Sequence, residues 1–420
     1  MKPYNSLYGS EKDIKRNLFL FFIDGVAFTP GMTLISITAV IPYFLTQLGA
    51  STFQIALAAS AALVCNFVGQ PFFGVLATHS KMLNKSFGKI LLLQRVIFLF
   101  FIVLIPVMAG AGTVLVWLFL LFWSVFNFFV GSYGVFYAPL VFNLLPPDKR
   151  GSMRGIGDAV GSCLGLGVAA LIPLALGRIA FPFNYTLIFS AGCLFLILDG
   201  VIFLFMRQHE YVKPHEPMGI IQYLREMPFA IRNNAPFRAY ILVSMFLGAA
   251  NSLLPYYTIY AIRVFKATES HIAILAALAV VANAVGYVVF GALTDRKGPN
   301  RTLIFATILV IIAGALALVT KSLGMLFAAW ILANIGNTGY SLISTILLGV
   351  VSPSAKLPLF VGVQTAITLA LSSAVLLLLA PLMENTGFML LFAAVFVCGL
   401  LSLLVNLFVL QKQLAHISVR

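Results

Sequence analysis

Asp24, Arg95, Asp158 and Asp199 are the side chains best placed to do chemistry in this sequence, because each lies in an otherwise apolar stretch. An ionised group in hydrocarbon costs about 3 kcal/mol or more unless it is paired or hydrated. Each is therefore a candidate for moving a charge or a proton. Their depths agree. Asp24 follows Arg16 by eight residues, Asp199 precedes Arg207 by eight, and Arg95 follows Lys89 by six. At 1.5 Å per helical residue, all three lie about 10 Å from the same membrane surface. Asp158 is shallower, in the expected first turn of its helix. One guanidinium neutralises one carboxylate, so another needs water, donors or a proton, and a desolvated carboxylate without a partner takes up a proton more readily. Two roles stay open for Asp24: coupling, or pairing with Arg95. Asp199 is expected to pair with Arg95, and Asp158 either caps its helix or joins the coupling group. A proton, or else sodium, would be the coupling ion. No His lies deep in a span, and no metal-ligand spacing, nucleophile elbow or phosphate loop is present. No catalytic residue, metal or cofactor is expected, and a membrane enzyme or scaffold is the weaker class of answer.

The elements that carry these groups follow from composition. Of 420 residues, 61% are apolar and 9% charged, and the mean hydropathy is +1.04. A helix of about 20 apolar residues crosses the hydrocarbon, and helices satisfy their own backbone groups there. The sequence predicts an all-α membrane protein with twelve transmembrane helices. The first six are Asn17–Phe44, Phe53–Ala77, Lys89–Met108, Thr113–Tyr137, Gly155–Leu176 and Tyr185–Met206. The second six are Phe237–Ile262, His271–Thr294, Thr302–Thr320, Gly324–Val351, Pro358–Leu382 and Gly387–Leu410. The first span lacks a signal-cleavage pattern and should stay in the membrane. Placing both termini in the cytoplasm puts 21 of the 26 Lys and Arg residues inside, as the positive-inside rule requires. The net charge of +14 is thus a topology device, with the lipid bilayer as a partner. Nucleic acid is not an expected partner. The short loops suit the cytoplasmic (inner) membrane of a bacterium, and the chain is expected to act as a monomer.

The two sets of six are alike. Ile41-Pro42-Tyr43-Phe44 in the first span matches Leu254-Pro255-Tyr256-Tyr257 in the seventh. The second and eighth end alike, at Gly74-Val75-Leu76 and Gly291-Ala292-Leu293, and Asp158 and Gln364 lie at equal offsets from Pro147 and Pro353. Parallel repeats around a midplane site are a transporter architecture. The expected organisation is a six-helix bundle over 1–206, a cytoplasmic linker with a surface helix over 207–236, and a second bundle over 237–420.

Gly291-Ala292-Leu293-Thr294-Asp295-Arg296-Lys297-Gly298-Pro299-Asn300-Arg301 resembles the loop signature of the major facilitator superfamily, and the resemblance covers all twelve spans. It implies two pseudo-symmetric six-helix bundles and alternating access. It also implies a conformational latch of Gly291, Asp295, Arg296 and Arg301, in which Asp295 faces the positive N-terminal end of the fifth helix near Gly155; otherwise Asp295 only turns the loop. The first-half loop departs from the signature, with Thr78 at the Asp position. Asn127 stands where many proton-coupled members carry Arg, and the fifth span lacks the Gly-Pro pair of the drug antiporters. By the same resemblance, spans one, four, seven and ten line the cavity. The candidates to bind a small-molecule substrate are Asn127, Tyr133, Asn251, Tyr256, Asn334, Asn337 and Tyr340, with Gln364 of the eleventh span. Amides and rings suit a neutral or amphipathic organic solute, although each amide can equally serve as an interhelical bond. The function expected is secondary transport of such a solute, as proton-coupled export of an amphipathic compound. The alternative is import, or facilitated diffusion, of a neutral solute such as a glycoside.

Overall fold

The computed structural model describes residues 9–36, 40–209, 219–267, 269–353, 356–386 and 388–418. Gly387 and linker residues 210–218, with Pro214 and Pro217, lie outside them. Among the described residues, eleven helices are long and apolar enough to cross a membrane, and Leu357–Thr386 contributes a further apolar helix. The continuous spans are Thr52–His79, Leu83–Met108, Thr113–Leu144, Arg150–Arg178 and Phe183–Phe205 in the first set. In the second they are Glu269–Lys297, Pro299–Leu318, Leu323–Val351 and Leu357–Thr386. The twelfth runs from Met389 to Val405 and continues through a π turn at Asn406–Leu410 into Gln411–Ser418.

The first and seventh spans are broken, where continuous helices were expected. The first comprises Glu11–Leu34 and Val40–Gln47, and the seventh comprises Ala235–Ser252 and Pro255–Phe265. Pro255 opens its helix at a position that needs no N–H, and Pro42 holds the third position of the matching piece. The first helix runs through Pro30 and Gly31 to Leu34.

Two compact units result, residues 1–146 with 160–224, and 147–159 with 225–420. Inside the first unit the second span packs on the fourth, the third on the fourth and sixth, and the first on the sixth. Inside the second unit the eighth packs on the tenth, the ninth on the tenth and twelfth, and the seventh on the twelfth. The neighbour pattern is the same one, repeated.

A hydrogen-bonded clamp marks the repeat. Trp123 Nε1 donates to the Ala58 carbonyl at 3.0 Å, and Trp330 Nε1 donates to the Leu275 carbonyl at 3.1 Å. One turn on, Asn127 Nδ2 donates to the Trp123 carbonyl and Asn334 Nδ2 to the Trp330 carbonyl, both at 2.8 Å. Each clamp ties span two to four, or eight to ten, with bonds that lipid does not compete for. Gly69 and Gly131 let the first of these pairs close further. A Cβ on Gly131 would stand 2.7 Å from both Asn66 O and Gln70 N, which are backbone atoms with little room to move.

The basic end of the first unit is tied as well. Ser10 and Asp13 form a capping box on the first helix, and Asp13 also holds Arg207 at 3.1 Å and His209 at 2.9 Å. Asn17 exchanges two 2.9 Å bonds with the Arg207 backbone. The start of the first span is thereby fixed to the end of the sixth.

Gly131→Ala tests the close crossing. Overpacking of this kind costs about 1–3 kcal/mol, so the purified variant should melt several degrees below wild type in a thermal-shift assay. An unchanged melting temperature would show that the fourth span has slack there.

Candidate functional site

The contact between the third and sixth spans brings Arg95 to Asp199. Arg95 Nη2 lies 2.9 Å from Asp199 Oδ2, with side chains 1% and 0% exposed. A guanidinium has five N–H donors, and Arg95 uses all of them. Nε donates to the Leu196 carbonyl and Nη1 to the Leu91 carbonyl, both at 3.2 Å. Nη1 also donates to Gln94 Oε1, and Nη2 to the Tyr133 hydroxyl as well as to Asp199. Gln94 is itself held by donating to the Phe126 carbonyl at 2.6 Å. The Tyr133 hydroxyl passes its own proton toward Asp199 Oδ2 at 2.8 Å, and its ring is wedged against Phe28 and Phe87. Among the described residues, Asp199 Oδ1 is the one acceptor of this network left without a partner. Burying an ion pair costs desolvation that only such added bonds offset. This is a saturated cage.

Asp24 does not share Arg95. It is 4% exposed and accepts from the Tyr137 hydroxyl at 2.9 Å. Tyr133 and Tyr137 stand one turn apart on the fourth span, so one helix face supplies a phenol to a carboxylate of the sixth span and to one of the first. Phe21 packs edge-on against Tyr137 at 5.9 Å. A phenol both donates and accepts, so Tyr137 suits Asp24 with or without its proton.

Asp158 is not a helix cap. The fifth helix begins at Arg150, five residues before the expected start, which puts Asp158 two turns inside it. There it lies 3.5 Å from Arg154 Nε. The free N–H groups of the first turn are met by Asp295 instead: Gly151 N donates at 2.8 Å and Ser152 N at 2.7 Å. A carboxylate at a helix N-terminus is favoured by both the donors and the dipole. Gly291 permits the approach, since a Cβ there would lie 2.6 Å from the Gly151 carbonyl oxygen. Arg296 and Arg301 are exposed.

The candidate substrate residues divide. Asn127 and Asn334 each give one amide N–H to the clamps. Tyr340 donates to the Ser244 carbonyl at 3.4 Å, and Gln364 donates to Thr368 Oγ1 at 3.3 Å. On the seventh span, Ser244 Oγ and Asn251 Nδ2 are buried without a protein partner among the described residues. Asn337 and Tyr256 are partly exposed, and neither makes a side-chain hydrogen bond among the described residues. Gln94, Ser244 and Trp330 were absent from the candidates read from the sequence. The Trp-x-x-x-Asn pattern, repeated in spans four and ten, was a signal for the clamps; Gln94 and Ser244 had none.

The Major Facilitator Superfamily profile matches residues 18–352. No curated protein matches the chain by sequence. Among solved structures, the Escherichia coli fucose:proton symporter superposes with a TM-score of 0.72 at 15% identity, covering 96% of this chain and 98% of that one. A bacterial homologue of the iron transporter ferroportin, in an outward-facing state, gives 0.72 at 15%, covering 96% and 99%. A proton:xylose symporter bound to 6-bromo-6-deoxy-D-glucose gives 0.70 at 14%, covering 96% of each. At these identities the likeness is one of fold.

A double-mutant cycle tests the cage. Arg95→Ala should destabilise the protein by about 3–5 kcal/mol, because it strands a buried carboxylate. Adding Asp199→Ala should recover part of that loss. Strictly additive melting shifts would mean that the two charges do not depend on each other.

Proposed function

Because the chain belongs to the major facilitator superfamily, we propose that it is a secondary transporter which couples export of an amphipathic organic compound to proton entry, by alternating access in a bacterial cytoplasmic membrane. The observation that carries the coupling is the buried Asp24 carboxylate on the Tyr137 hydroxyl. Asp199 is locked in an ion pair with a guanidinium that has no donor to spare, so it is a poor vehicle for a proton. Asp24 can be served by one phenol in either protonation state, and it is the coupling residue of this reading. Phe21, Phe28, Tyr133 and Tyr137 surround that level with rings, which suits an amphipathic solute. Asp295 of the eighth span, bonded to the first turn of the fifth helix, is the latch that one conformation makes and the other breaks. A carboxylate on backbone N–H groups has the strength of a charge-assisted bond and a geometry that a small slide of the helix undoes.

A second reading has its own support. Among the described residues, Ser244 Oγ and Asn251 Nδ2 are buried donors without an acceptor, near Tyr340 and, through the eleventh span, Gln364. Leaving such donors unmet costs about 1–3 kcal/mol each, and a hydroxylated neutral solute would meet them. Two structures of like fold are those of a fucose:proton and a proton:xylose symporter. On this reading proton and solute move together.

One measurement separates the two readings. Purified protein is reconstituted into vesicles with a pH-sensitive dye inside, and ethidium, fucose or xylose is added outside with no pH gradient. Solute entering against protons turns the lumen alkaline, whereas symport acidifies it, whichever way the protein is inserted. Ethidium-driven alkalinisation is the expected outcome. In Asp24→Asn the proton signal should vanish while ethidium exchange persists. Full proton movement in that variant would make Asp24 structural.

A further inference from the structure

The linker helix Ile220–Asn233 carries an apolar face that no described residue covers. Ile221 is 66% exposed, Leu224 48% and Phe229 58%. At 100° per residue, these three share one side of the helix with Pro228, Arg225 and Arg232. Tyr223 and Ala230 occupy the opposite side and are buried. So the helix is amphipathic twice over. Its buried side grips the protein, and its outer side mixes large apolar groups with two guanidinium groups. Three such hydrophobics standing in water are unfavourable.

The place of the helix narrows what can cover it. Asn234 caps the next helix by accepting from Phe237 N at 3.0 Å, so the linker helix ends one residue before the seventh span starts at Ala235. At its other end, the Tyr223 ring abuts Gly74, five residues before the second span ends at His79. Both ends thus lie at the basic margin of the spans. A water-facing surface there would have no use for Ile221, Leu224 and Phe229, and a wholly apolar partner none for Arg225 and Arg232.

We propose that this face is a lipid-binding surface, lying in the headgroup layer of the leaflet on the basic side and selecting anionic phospholipid. Ile221, Leu224 and Phe229 enter the outer acyl region, and Arg225 and Arg232 reach back along the helix to lipid phosphates. Both guanidinium groups lie between Ile221 and Phe229 on this side, and an interfacial helix combines apolar burial with attraction of its basic residues to anionic lipid. The guanidinium fork matches a phosphate in a bidentate fashion, and long side chains lift their charge from apolar surroundings to the headgroups. The leaflet's own negative potential adds to the attraction.

Spin labelling of the full-length, reconstituted protein tests this without reference to any transported solute. Cys65, Cys163, Cys193 and Cys398 are replaced by Ala, and a nitroxide is attached through Phe229→Cys. Its collisions with oxygen, which concentrates in lipid, are compared with those of a water-soluble nickel chelate. In vesicles containing phosphatidylglycerol the label should favour oxygen. In phosphatidylcholine alone it should shift toward the chelate, and Arg225→Gln with Arg232→Gln should abolish the difference between the two lipids. The same label at Ile221→Cys should behave alike, which guards against a local disturbance at one site. Chelate-dominated collisions in both lipids would place the face in water. Protection from both reagents would place it under protein, as in a second copy or a partner. Oxygen dominance indifferent to lipid charge would remove the phosphate contacts. Each of these three results overturns the proposal.

Discussion

Hydrocarbon offers no hydrogen-bond partner, and the charged and amide side chains described within the spans are arranged around that lack. Backbone groups are met by the helices, but side chains must find each other or a backbone carbonyl. Arg95 shows the extreme solution. Its five donors are distributed over a carbonyl of its own helix, a carbonyl of the sixth span, an amide, a phenol and a carboxylate. The indoles of Trp123 and Trp330 show the modest one, each spending its single donor on a carbonyl across a helix contact. Both solutions fix helix against helix, so satisfaction of polarity and specification of packing are here one event. Such bonds average about 0.6 kcal/mol in membrane proteins. Their number and direction matter more to the fold than the strength of any one.

The spans could be read from the sequence because composition alone decides them, and the loop from Gly291 to Arg301 could be read because its residue spacing is specific. The four intramembrane charges were also legible, since a charge in an apolar run stands out without any structure. Their pairing was less so. Depth along each helix made Asp24 and Asp199 equal candidates for Arg95, and only the angular position of each helix, which the sequence does not contain, separates them. Asp158 was misplaced because the basic run Asp148-Lys149-Arg150 was taken for loop, whereas the helix starts within it and hands its first N–H groups to Asp295. The breaks near Ile35 and Leu253 were hidden by apolar residues that suit either continuous or interrupted helix. Asn127 and Asn334 were read as meeting either a solute or a helix, and each gives one N–H to the carbonyl one turn earlier.

The two halves keep a common frame and differ in what hangs on it. Trp123 with Asn127 and Trp330 with Asn334 hold equivalent helix pairs at the same register. Tyr133 and Tyr340 follow them at equal spacing, and there the halves part. The first phenol closes an ion cage, while the second reaches a backbone carbonyl beside the unmet Ser244 hydroxyl. Charge is concentrated in one unit and neutral hydrogen-bonding capacity in the other. A duplicated scaffold has thus taken on two kinds of polarity without altering its packing.

Saturation of Arg95 also has an electrostatic consequence. The guanidinium is the one cation at its depth among the charges of the first unit, and all its protons are committed to protein acceptors. Set against Asp199 at 2.9 Å, its charge is cancelled, and the cage has no donor left to offer its surroundings. The pair is an electrically quiet rivet, fastening the third, fourth and sixth spans at a depth where an unpartnered ion would cost about 3 kcal/mol or more.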